Sequence, residues 1–345
     1  MKPQIKLQFV DFYDNFRPDT FFLYTLISER YEIILSDQPD YVIYSVYGNK
    51  HLQYADNSIL IFWTGENQCP DFNECDYAIG LEHLSFGDRY IRSPHYLAYK
   101  EFITLSNKHI VEKDTLSNKS LFCTFVYSNS NASPLRKRFY ELLSAYKGIS
   151  SGGRYMNNIG GKAVADKVAF EKQAKFSIAF ENASHSGYTT EKLIQSFAAQ
   201  TVPIYWGDPD VEATFNPKSF INCARFPSLE AVIEEIKRID ADDEAYLSML
   251  SQPALLDPNE KQKKDAQLKE FLYNIFDQPI EKGKRFSRDY WNARIRLQRK
   301  MEIRAYNRSI RGFAANFYRK YFFMLSRKST FGWKVTSFLK RVFNR

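Results

Sequence analysis

Charged and polar side chains stand where several apolar segments of the sequence end, and their types suit the chemistry of phosphates and sugars. Glu191 and Lys192 follow the apolar run 176–180 and the polar loop 181–188, at the predicted start of a helix. A helix N-terminus carries partial positive charge and unpaired N–H groups that favour a phosphate. A lysine in this first turn is disfavoured unless an anion is present, and the glutamate could accept hydrogen bonds from sugar hydroxyls. The alternative is a solvated Glu–Lys pair at a helix start.

The preceding unit of the sequence repeats this arrangement. Its predicted strand, 121–127, ends in Ser128 and Asn129, and Arg136 follows in the first turn of the next helix. A guanidinium group there can donate two charge-assisted hydrogen bonds to a diphosphate. Because Arg136 lies within the basic tripeptide "RKR", an ordinary surface arginine is the alternative interpretation.

A carboxylate stands at a strand end in the first third of the chain. The segment "FWTGEN" ends an apolar run in Gly65, Glu66 and Asn67. A carboxylate that faces a cleft from such a position can act as a general base and take a proton from an attacking hydroxyl. Considered alone, Glu66 is better explained as a loop carboxylate.

No convincing metal site is visible in the sequence. The segment 207–210, "GDPD", has two aspartates that could hold a divalent ion, but its proline favours a structural turn. The five histidines are scattered, and the four cysteines match no zinc spacing. Cys69 and Cys75 could form a disulfide in an oxidising compartment, but two reduced thiols are the preferred interpretation.

These candidate residues need a scaffold of alternating strands and helices, and the hydrophobic pattern predicts one. Short, nearly continuous apolar strands between helices are typical of a parallel sheet that is covered on both faces. In the first third, the pattern predicts a helix at 21–31 and strands at 7–12, 32–37, 40–48, 58–67 and 75–80. After a polar stretch at 106–120, it predicts helices at 133–146, 189–200 and 229–239 and strands at 121–129, 175–182 and 202–207.

Two such units in succession predict two doubly wound α/β domains that face each other across a cleft. In sheets of this kind, ligands bind outside the carboxyl ends of the strands. The predicted bounds are residues 1–116 and 117–280, followed by a tail at 281–345. Thr189 or Thr190 is expected to cap the helix that carries Lys192.

Residues 180–222, "FENASHSGYTTEKLIQSFAAQTVPIYWGDPDVEATFNPKSFIN", resemble the donor-binding signature of glycosyltransferase family 10, the α-1,3/α-1,4-fucosyltransferases, in its bacterial form. The segments "FWTGEN", "DYAIG" and "DRYIRSP" in the first predicted domain and "FVYSNSNASPLRKRFYELL" in the second match the family in the same order. The resemblance covers most of residues 1 to about 250. Its most specific element is Phe-Glu-Asn followed by Thr-Glu-Lys.

The resemblance implies a GT-B architecture, in which the first of two Rossmann-like domains binds the acceptor and the second binds GDP-fucose. It implies a general base at Glu66. It also implies donor-binding residues, namely Arg136 and Lys192 for the diphosphate, Glu191 for the ribose, Asn182 and Tyr188 for the fucose and phosphate pocket, and Ser128 and Asn129 at the preceding strand end. The loop "ASHSGY" departs from the family's glycine-and-tyrosine loop by His185, which is left without a role.

The implied activity is an inverting transfer of L-fucose from GDP-β-L-fucose to a hydroxyl of an N-acetylglucosamine or glucose unit, with α-1,3 linkage preferred over α-1,4. N-acetyllactosamine is a suitable acceptor, and the setting would be protein glycosylation or the biosynthesis of lipopolysaccharide or another glycan. No cofactor is expected to be required, although a divalent cation could stimulate turnover. The alternatives are a GT-B enzyme for another sugar nucleotide and a non-catalytic, membrane-associated protein that binds sugar nucleotides.

Positive charge is concentrated at the C-terminal end. Residues 281–345 contain 19 Lys and Arg residues and 3 acidic ones, a net charge of +16, whereas the rest of the chain carries −8. Apolar residues recur at helical spacing among the basic ones, for example Phe313, Phe317, Tyr321 and Met324. The pattern predicts a basic amphipathic helix at an anionic membrane surface, with a helix packed back on the body as the alternative. No nucleic-acid partner is expected, because no base-reading module accompanies the charge.

The sequence also carries an expectation about location. The N-terminal segment lacks the long apolar core of a signal peptide and already alternates like a strand. No segment approaches the roughly 20 apolar residues that span a bilayer. The predicted location is therefore the cytoplasm, with peripheral attachment to the inner face of the membrane.

Overall fold

The first sheet is built from the N-terminal residues. The computed structural model describes residues 2–105, 115–288 and 295–317 of the chain. Six strands form this sheet: β1 (Gln4–Val10), β2 (Glu32–Leu35), β3 (Tyr41–Tyr44), β4 (Ile59–Trp63), β5 (Tyr77–Gly80) and β6 (Tyr90–Arg92). All neighbouring strands are parallel, in the order β2-β1-β3-β4-β5-β6. The strand order therefore reverses between β1 and β3.

The second sheet follows in the chain and has the same topology. Its five strands are β7 (Leu121–Phe125), β8 (Ile149–Ser151), β9 (Ala174–Phe180), β10 (Val202–Trp206) and β11 (Ile221–Asn222). They too are parallel, in the order β11-β10-β9-β7-β8, and the order reverses between β7 and β9. Two doubly wound sheets confirm the predicted fold class.

The helices of the described chain are, in order, α1 (Phe22–Ser28), α2 (Lys100–Thr104), α3 (Pro134–Ser144), α4 (Lys167–Glu171), α5 (Glu191–Ala198), α6 (Leu229–Asp240), α7 (Asp243–Leu250), α8 (Glu260–Phe276), α9 (Ile280–Gly283), α10 (Ile295–Arg308) and α11 (Ile310–Phe317). Helices cover both faces of the second sheet, whereas in the first sheet helices α1 and α8 cover one face and loop residues such as Ala55 and Phe286 cover the other. Along β3, Tyr41 and Ile43 pack in one apolar cluster and Val42 and Tyr44 in another. Because side chains alternate between the faces of a strand, two covered faces require the continuous apolar runs seen in the sequence.

Helix α8 lies in the predicted second domain (117–280) by chain position but packs on the first sheet. Leu268, Leu272 and Ile275 are almost completely buried in the apolar cluster that contains β1, β3 and β4. Just after the helix, Asp277 accepts a hydrogen bond of 2.6 Å from the Tyr31 hydroxyl. Chain order and spatial packing therefore differ at this helix.

The segment after α9 is held to the first sheet by ion pairs. Asp76 is fully buried, and its carboxylate pairs with the Arg288 guanidinium at 2.8 Å. Further along the chain, α10 is attached through Lys300, whose ammonium contacts Glu74 at 2.7 Å. Both described parts of the tail, 281–288 and 295–317, are thus attached to the first sheet.

The described part of the tail is helical and exposes apolar side chains. Met301, Ile303, Tyr306 and Phe313 are all about half exposed or more, and Phe313 stacks on Phe317. Tyr321 and Met324 lie outside the described residues. Within the described ranges, no helix is long and apolar enough to cross a membrane.

The predicted strands and helices are present, with shifted ends. The segment 40–48, for example, is a strand only at Tyr41–Tyr44. Strands β6 and β8 were not predicted, because three residues are too few to show a pattern. The expected helix cap is wrong in its chemistry: Thr190 occupies the N-cap position of α5, but its hydroxyl donates to Glu181 and caps no helix N–H.

Candidate active site

The predicted donor-binding residues lie where the strand order of the second sheet reverses. Ser128 and Asn129 follow β7 and are exposed, whereas Glu181 and Asn182 follow the neighbouring strand β9. The carboxyl ends of these two strands meet at one edge of the sheet. This switch point is where open α/β sheets bind their ligands.

Arg136, on α3, is held at this switch point by protein contacts. The residue is 2% exposed, so its interpretation as a surface arginine is wrong. Its guanidinium donates to Asn182 Oδ1 at 2.7 Å and to the Phe180 carbonyl at 3.0 Å, and it lies 4.0 Å from the ring centroid of Tyr127. A buried cation needs such partners because desolvation is costly. The guanidinium is therefore fixed between the ends of β7 and β9.

Lys192, in the first turn of α5, is also buried. Its ammonium contacts Glu181 at 3.0 Å, Glu191 at 3.1 Å and the Thr190 hydroxyl at 2.8 Å. Glu181 is fully buried and also accepts a hydrogen bond of 2.8 Å from the Thr190 backbone N–H. The interpretation of Glu191 and Lys192 as a solvated pair is wrong for Lys192, whose ammonium is buried between two carboxylates, whereas the Glu191 side chain is 28% exposed.

This ionic network of Glu181, Glu191 and Lys192 fixes the charges of its members. Burial lowers the pKa of Lys192, but attraction to Glu181 and Glu191 outweighs burial and raises that pKa overall. Burial likewise raises the pKa of Glu191, yet Lys192 and Lys167 bring it down to about 2. At neutral pH the site therefore holds one ammonium and an ionised Glu191 at the N-terminus of a helix.

The loop 183–189 is folded by Asp208, the first aspartate of the "GDPD" segment. Asp208 accepts hydrogen bonds from the Gly187 N–H at 2.9 Å and the Thr189 hydroxyl at 3.0 Å. Gly187 has φ +85°, and a Cβ there would lie 2.2 Å from the Leu81 carbonyl oxygen. The loop of the second sheet thus touches the end of β5 in the first sheet, and Asp208 has a structural role, as the turn interpretation predicted.

Glu66 follows β4 and is exposed at the end of the first sheet. Its backbone N–H donates to the Thr64 hydroxyl at 2.9 Å. Its Oε1 accepts a hydrogen bond of 2.9 Å from the Tyr47 hydroxyl. Burial and the Glu66 carboxylate raise the pKa of Tyr47 to about 12, so the phenol stays a donor at neutral pH. Tyr47 leaves Oε2 as the oxygen of Glu66 that can accept a proton.

Two side chains, Tyr188 and His95, interact electrostatically with carboxylates at the strand ends of both sheets. Burial raises the pKa of Tyr188, and carboxylates from both sheets, among them Glu181 and Glu66, raise it further. Burial lowers the pKa of His95, which both Glu191 and Glu66 oppose. Tyr188 and His95 are therefore within electrostatic reach of both Glu66 and the ionic network.

Other predicted features have simpler outcomes. Cys69 and Cys75 are free thiols, one exposed and one buried, so the preferred interpretation is confirmed. No group of three or more His, Cys, Asp or Glu side chains in the described residues could hold a metal ion. His185 is partly exposed, with its Nε2 3.9 Å from the Glu82 carboxylate.

Several residues of the site were missed in the sequence. Glu181 stands in the Phe-Glu-Asn motif beside Asn182, and its burial at a strand end is the signal that could have identified it. Tyr127, His95 and Tyr47 act through contacts between distant segments, and no local pattern reveals such contacts.

Two doubly wound sheets in succession, with the loop 183–189 of the second against the end of β5 in the first, form the architecture of GT-B glycosyltransferases. A solved α1,3-fucosyltransferase with GDP-fucose has this fold and superposes with a TM-score of 0.66. It is 29% identical in sequence, and the match covers 79% of this chain and 91% of that one.

The chain belongs to glycosyltransferase family 10, the fucosyltransferase family. Residues 7–99 match the family's α-(1,3)-fucosyltransferase N-terminal domain, and residues 116–271 match its C-terminal domain. The α-(1,3)-fucosyltransferase FucT of Helicobacter pylori is 36% identical over 265 residues, which cover 66% of this chain and 55% of the relative. A 3-α-L-fucosyltransferase 9 of Bos taurus is 30% identical over 174 residues, covering 49% and 47% respectively. The chain thus spans only about half the length of these curated relatives.

Proposed function

We propose that this chain is an inverting fucosyltransferase that moves L-fucose from GDP-β-L-fucose to a hydroxyl of an N-acetylglucosamine or glucose unit in a glycan, with α-1,3 linkage. The observations that carry the proposal are the exposed carboxylate of Glu66 at the end of β4 in the first sheet and the buried cations Arg136 and Lys192 at the strand ends of the second. Inversion by direct displacement needs a base on the acceptor side and stabilised charge on the leaving-group side. The GDP-fucose in the solved relative and the names of the sequence relatives support the donor and the linkage.

The proposed reaction is a single displacement. Glu66 takes the proton of the acceptor hydroxyl while that oxygen attacks C1 of fucose from the face opposite the diphosphate. The bond between C1 and the phosphate oxygen breaks, and its electron pair leaves on GDP. Arg136, Lys192 and the N-terminus of α5 stabilise the charge that develops there. Glu191 accepts hydrogen bonds from the ribose hydroxyls.

The remaining predicted residues are proposed to complete the donor pocket. A cavity of about 330 Å³ lies beside Arg136 and the start of α3, which supports a nucleotide at this switch point. Ser128 and Asn129 are proposed to contact the donor at the rim. Asn182 and Tyr188 are proposed to line the space for fucose and phosphate.

We propose that turnover requires no metal cofactor, because two cationic side chains and a helix N-terminus converge where a divalent ion would otherwise neutralise the diphosphate. A divalent cation remains an optional stimulant. Transfer rates should persist when EDTA is added, and a complete loss of transfer that Mn²⁺ or Mg²⁺ restores would contradict this proposal.

The donor is tested by the purified chain's response to nucleotides. We expect GDP to raise the midpoint of thermal unfolding, because a ligand that binds only the folded state stabilises it by mass action. UDP and CMP should leave the midpoint unchanged. Stabilisation by UDP or CMP instead of GDP would point to another sugar nucleotide, and GDP binding without fucose transfer to any acceptor would point to a non-catalytic binding protein.

The acceptor and linkage are tested by product analysis. Lactose, N-acetyllactosamine and its β-1,3-linked isomer are offered with GDP-fucose, and the products are assigned by NMR. We expect fucose at O3 of the glucose or N-acetylglucosamine unit. Fucose on O4 of the β-1,3 isomer alone would overturn the proposed linkage.

We also propose that the basic tail attaches the protein to an anionic membrane surface, at the cytoplasmic face. The support is the charge of the tail together with Met301, Ile303, Tyr306 and Phe313, which expose apolar surface on helices of the described chain. Each basic residue near an anionic bilayer adds about 1 kcal/mol of attraction.

Vesicle sedimentation tests the attachment. A deletion should begin after Arg288, because removing that residue would leave the buried carboxylate of Asp76 without its cation. We expect deletion of 289–345 to abolish pelleting with phosphatidylserine vesicles, and the double variant Phe313→Ser/Phe317→Ser to weaken it. Equal pelleting of the full and shortened chains would rule the tail out as the anchor.

A further inference from the structure

A short helical turn, His95–Ala98, follows β6 of the first sheet and packs against the second. Tyr96 and Leu97 of this turn are buried in the apolar cluster that contains Leu193 of α5. Helix α5 begins with the residues of the ionic network, among them Lys192. The turn is therefore fixed to the helix that carries the donor-binding charges.

The imidazole of His95 packs on the end of β4 in the first sheet. Its ring centroid lies 5.5 Å from that of Trp63, the last residue of β4, in an edge-to-face arrangement. The ring is so close to Gly65 that a Cβ at this glycine would lie 2.6 Å from the imidazole Nδ1. Gly65 directly precedes Glu66 in the chain. The backbone of His95 is thus fixed to the second sheet, and its side chain contacts the strand end that carries the candidate base.

The His95 side chain is partly buried and lines a cavity of about 510 Å³. Small-molecule sites occupy about 300–1,000 Å³. Lys261 and Asp265, the charged residues of the cavity lining, pair with each other at 2.6 Å. Among the residues that the structure describes, none forms a hydrogen bond with either imidazole nitrogen. Since a neutral imidazole has one N–H donor and one acceptor nitrogen, His95 can offer both to a ligand.

The surroundings of His95 keep its imidazole uncharged at neutral pH. Burial lowers its pKa below the ordinary value of about 6.5, and Lys192 acts in the same direction, whereas Glu191 and Glu66 oppose the shift. Burial also raises the pKa of the neighbouring Tyr99, so this phenol keeps its proton. Positive charge develops on a sugar ring as its glycosidic bond breaks. A neutral imidazole can bind such a ring without adding a second positive charge beside it.

We propose that His95 contacts the fucosyl unit during transfer and forms hydrogen bonds with hydroxyls of that sugar. The sugar in transit lies between the diphosphate at Lys192 and the acceptor hydroxyl at Glu66, and His95 packs against the elements that carry both. The rings of Trp63 and Tyr99 meet the imidazole edge to face and hold its orientation. The inference rests on the proposed function, since it concerns the sugar which that reaction moves.

Ligands with and without fucose test this contact on the full chain. The dissociation constant of GDP is measured by calorimetry, and kcat/KM for GDP-fucose is measured with N-acetyllactosamine as the acceptor. His95→Phe keeps an aromatic ring in the cavity but offers no hydrogen bond. We expect it to bind GDP within about twofold of the wild type and to lose about tenfold in kcat/KM, the effect of one or two uncharged hydrogen bonds. His95→Asn, which keeps a donor and an acceptor, should lose less than His95→Phe.

Hydrolysis of GDP-fucose without an acceptor distinguishes the two sugars of the reaction. Water then takes the place of the acceptor, whereas the fucosyl unit is the same. We therefore expect His95→Phe to slow fucose release to water by the same factor as transfer to N-acetyllactosamine. Slower transfer with unchanged hydrolysis would assign His95 to the acceptor and overturn the proposed contact.

A matched control keeps the remaining outcomes separate. His83 is an exposed histidine ahead of β6, and His83→Phe should change neither GDP binding nor kcat/KM. Unchanged kcat/KM in His95→Phe would overturn the contact, and so would a tenfold loss of GDP affinity, because GDP carries no fucose. In either case the transferase itself would stand. Absence of fucose transfer by the wild-type chain to every acceptor would overturn the proposed function.

Discussion

The two switch points of the molecule are built in opposite ways. At the second sheet, Arg136, Glu181 and Lys192 are buried, and hydrogen bonds and ion pairs fix them. At the first sheet, Tyr47 in the loop after β3 and Glu66 in the loop after the neighbouring β4 are exposed. A buried ionic network contributes to the fold as well as to the site, whereas exposed side chains contribute to the site alone.

This contrast suits the two proposed substrates. A nucleotide diphosphate sugar always presents the same charges, so a wall whose dipoles and cations are already oriented stabilises it without reorganisation. A glycan presents hydroxyls and ring faces in many arrangements, and an exposed wall can meet them with water as a partner. Substitutions should therefore separate the walls: those in the second sheet lower stability and activity together, and those in the first lower activity only.

The largest expected effect is that of Lys192→Ala. The substitution leaves the fully buried Glu181 without its cation, so we expect a loss of about 3–5 kcal/mol in the free energy of unfolding. We also expect most transfer to be lost, because one preorganised charge stabilises the transition state by about 3 kcal/mol. Urea unfolding and fucose transfer are measured on the same samples.

Two comparisons sharpen this result. Adding Glu181→Gln to Lys192→Ala should recover part of the lost stability, since the unpaired charge is removed, without restoring transfer. Lys237 is an exposed lysine paired with Glu234 on α6, and Lys237→Ala should change neither property. Wild-type stability in Lys192→Ala would show that the network does not support the fold.

Glu66→Gln should separate activity from stability at the first sheet. Removal of a general base lowers kcat by about 10²–10⁴-fold. The midpoint of thermal unfolding should stay within about a degree of the original, because an exposed side chain makes little contribution to stability. Glu270, an exposed carboxylate on α8, provides the control variant Glu270→Gln, for which both values should be unchanged. Near-normal turnover of Glu66→Gln would remove this residue from the mechanism.

Tyr47→Phe should have a smaller effect on the same wall. It removes one hydrogen bond to the Glu66 carboxylate, so we expect kcat/KM to fall by up to about tenfold. Tyr146→Phe is a matched control, since it removes a similar hydrogen bond to Asp240 in the second sheet's domain. Unchanged kcat/KM in Tyr47→Phe would leave Tyr47 without a role in positioning the base.

The smallest expected effect concerns acid stability at the second sheet. The pKa of Glu191 is about 2, below the ordinary value of about 4.3, so its ionised form adds stability above pH 4.3 that is lost as the pH falls towards 2. Glu191→Gln should therefore flatten the decrease in unfolding free energy between about pH 4.5 and 2. Glu234→Gln, on the exposed face of α6, serves as the control. An equally steep decrease in Glu191→Gln would place the acid sensitivity elsewhere.

Much of the fold could be predicted, because the strands of a parallel sheet that is covered on both faces are continuous apolar runs in the sequence. The run that became β4 is buried along its whole length and that of β9 at every residue except Lys175, and their polar ends predicted where Glu66 and Asn182 would lie. The short strands β6 and β8 carry no such run. The side of the sheet that α8 covers was not predictable either, because its apolar stripe is compatible with either core.

The types of the site residues could be predicted from the sequence, but the contacts between them could not. The sequence motifs identified Arg136, Glu191 and Lys192 as candidates. The structure adds that Arg136 lies beside Asn182 and that Lys192 lies between two carboxylates. The burial of Glu181 and the hydrogen bond between Tyr47 and Glu66 depend on which strand ends become neighbours. Only the strand order supplies that information.

The packing of α8 has a consequence for synthesis on the ribosome. All strands of the first sheet lie within the first hundred residues. The α8 side chains at 268–276 that cover one of its apolar faces are translated only after the whole second sheet. Until then we expect the nascent N-terminal half to expose this apolar face, which favours aggregation. A gene fragment that ends before α8 should therefore yield insoluble protein, however complete its strands are.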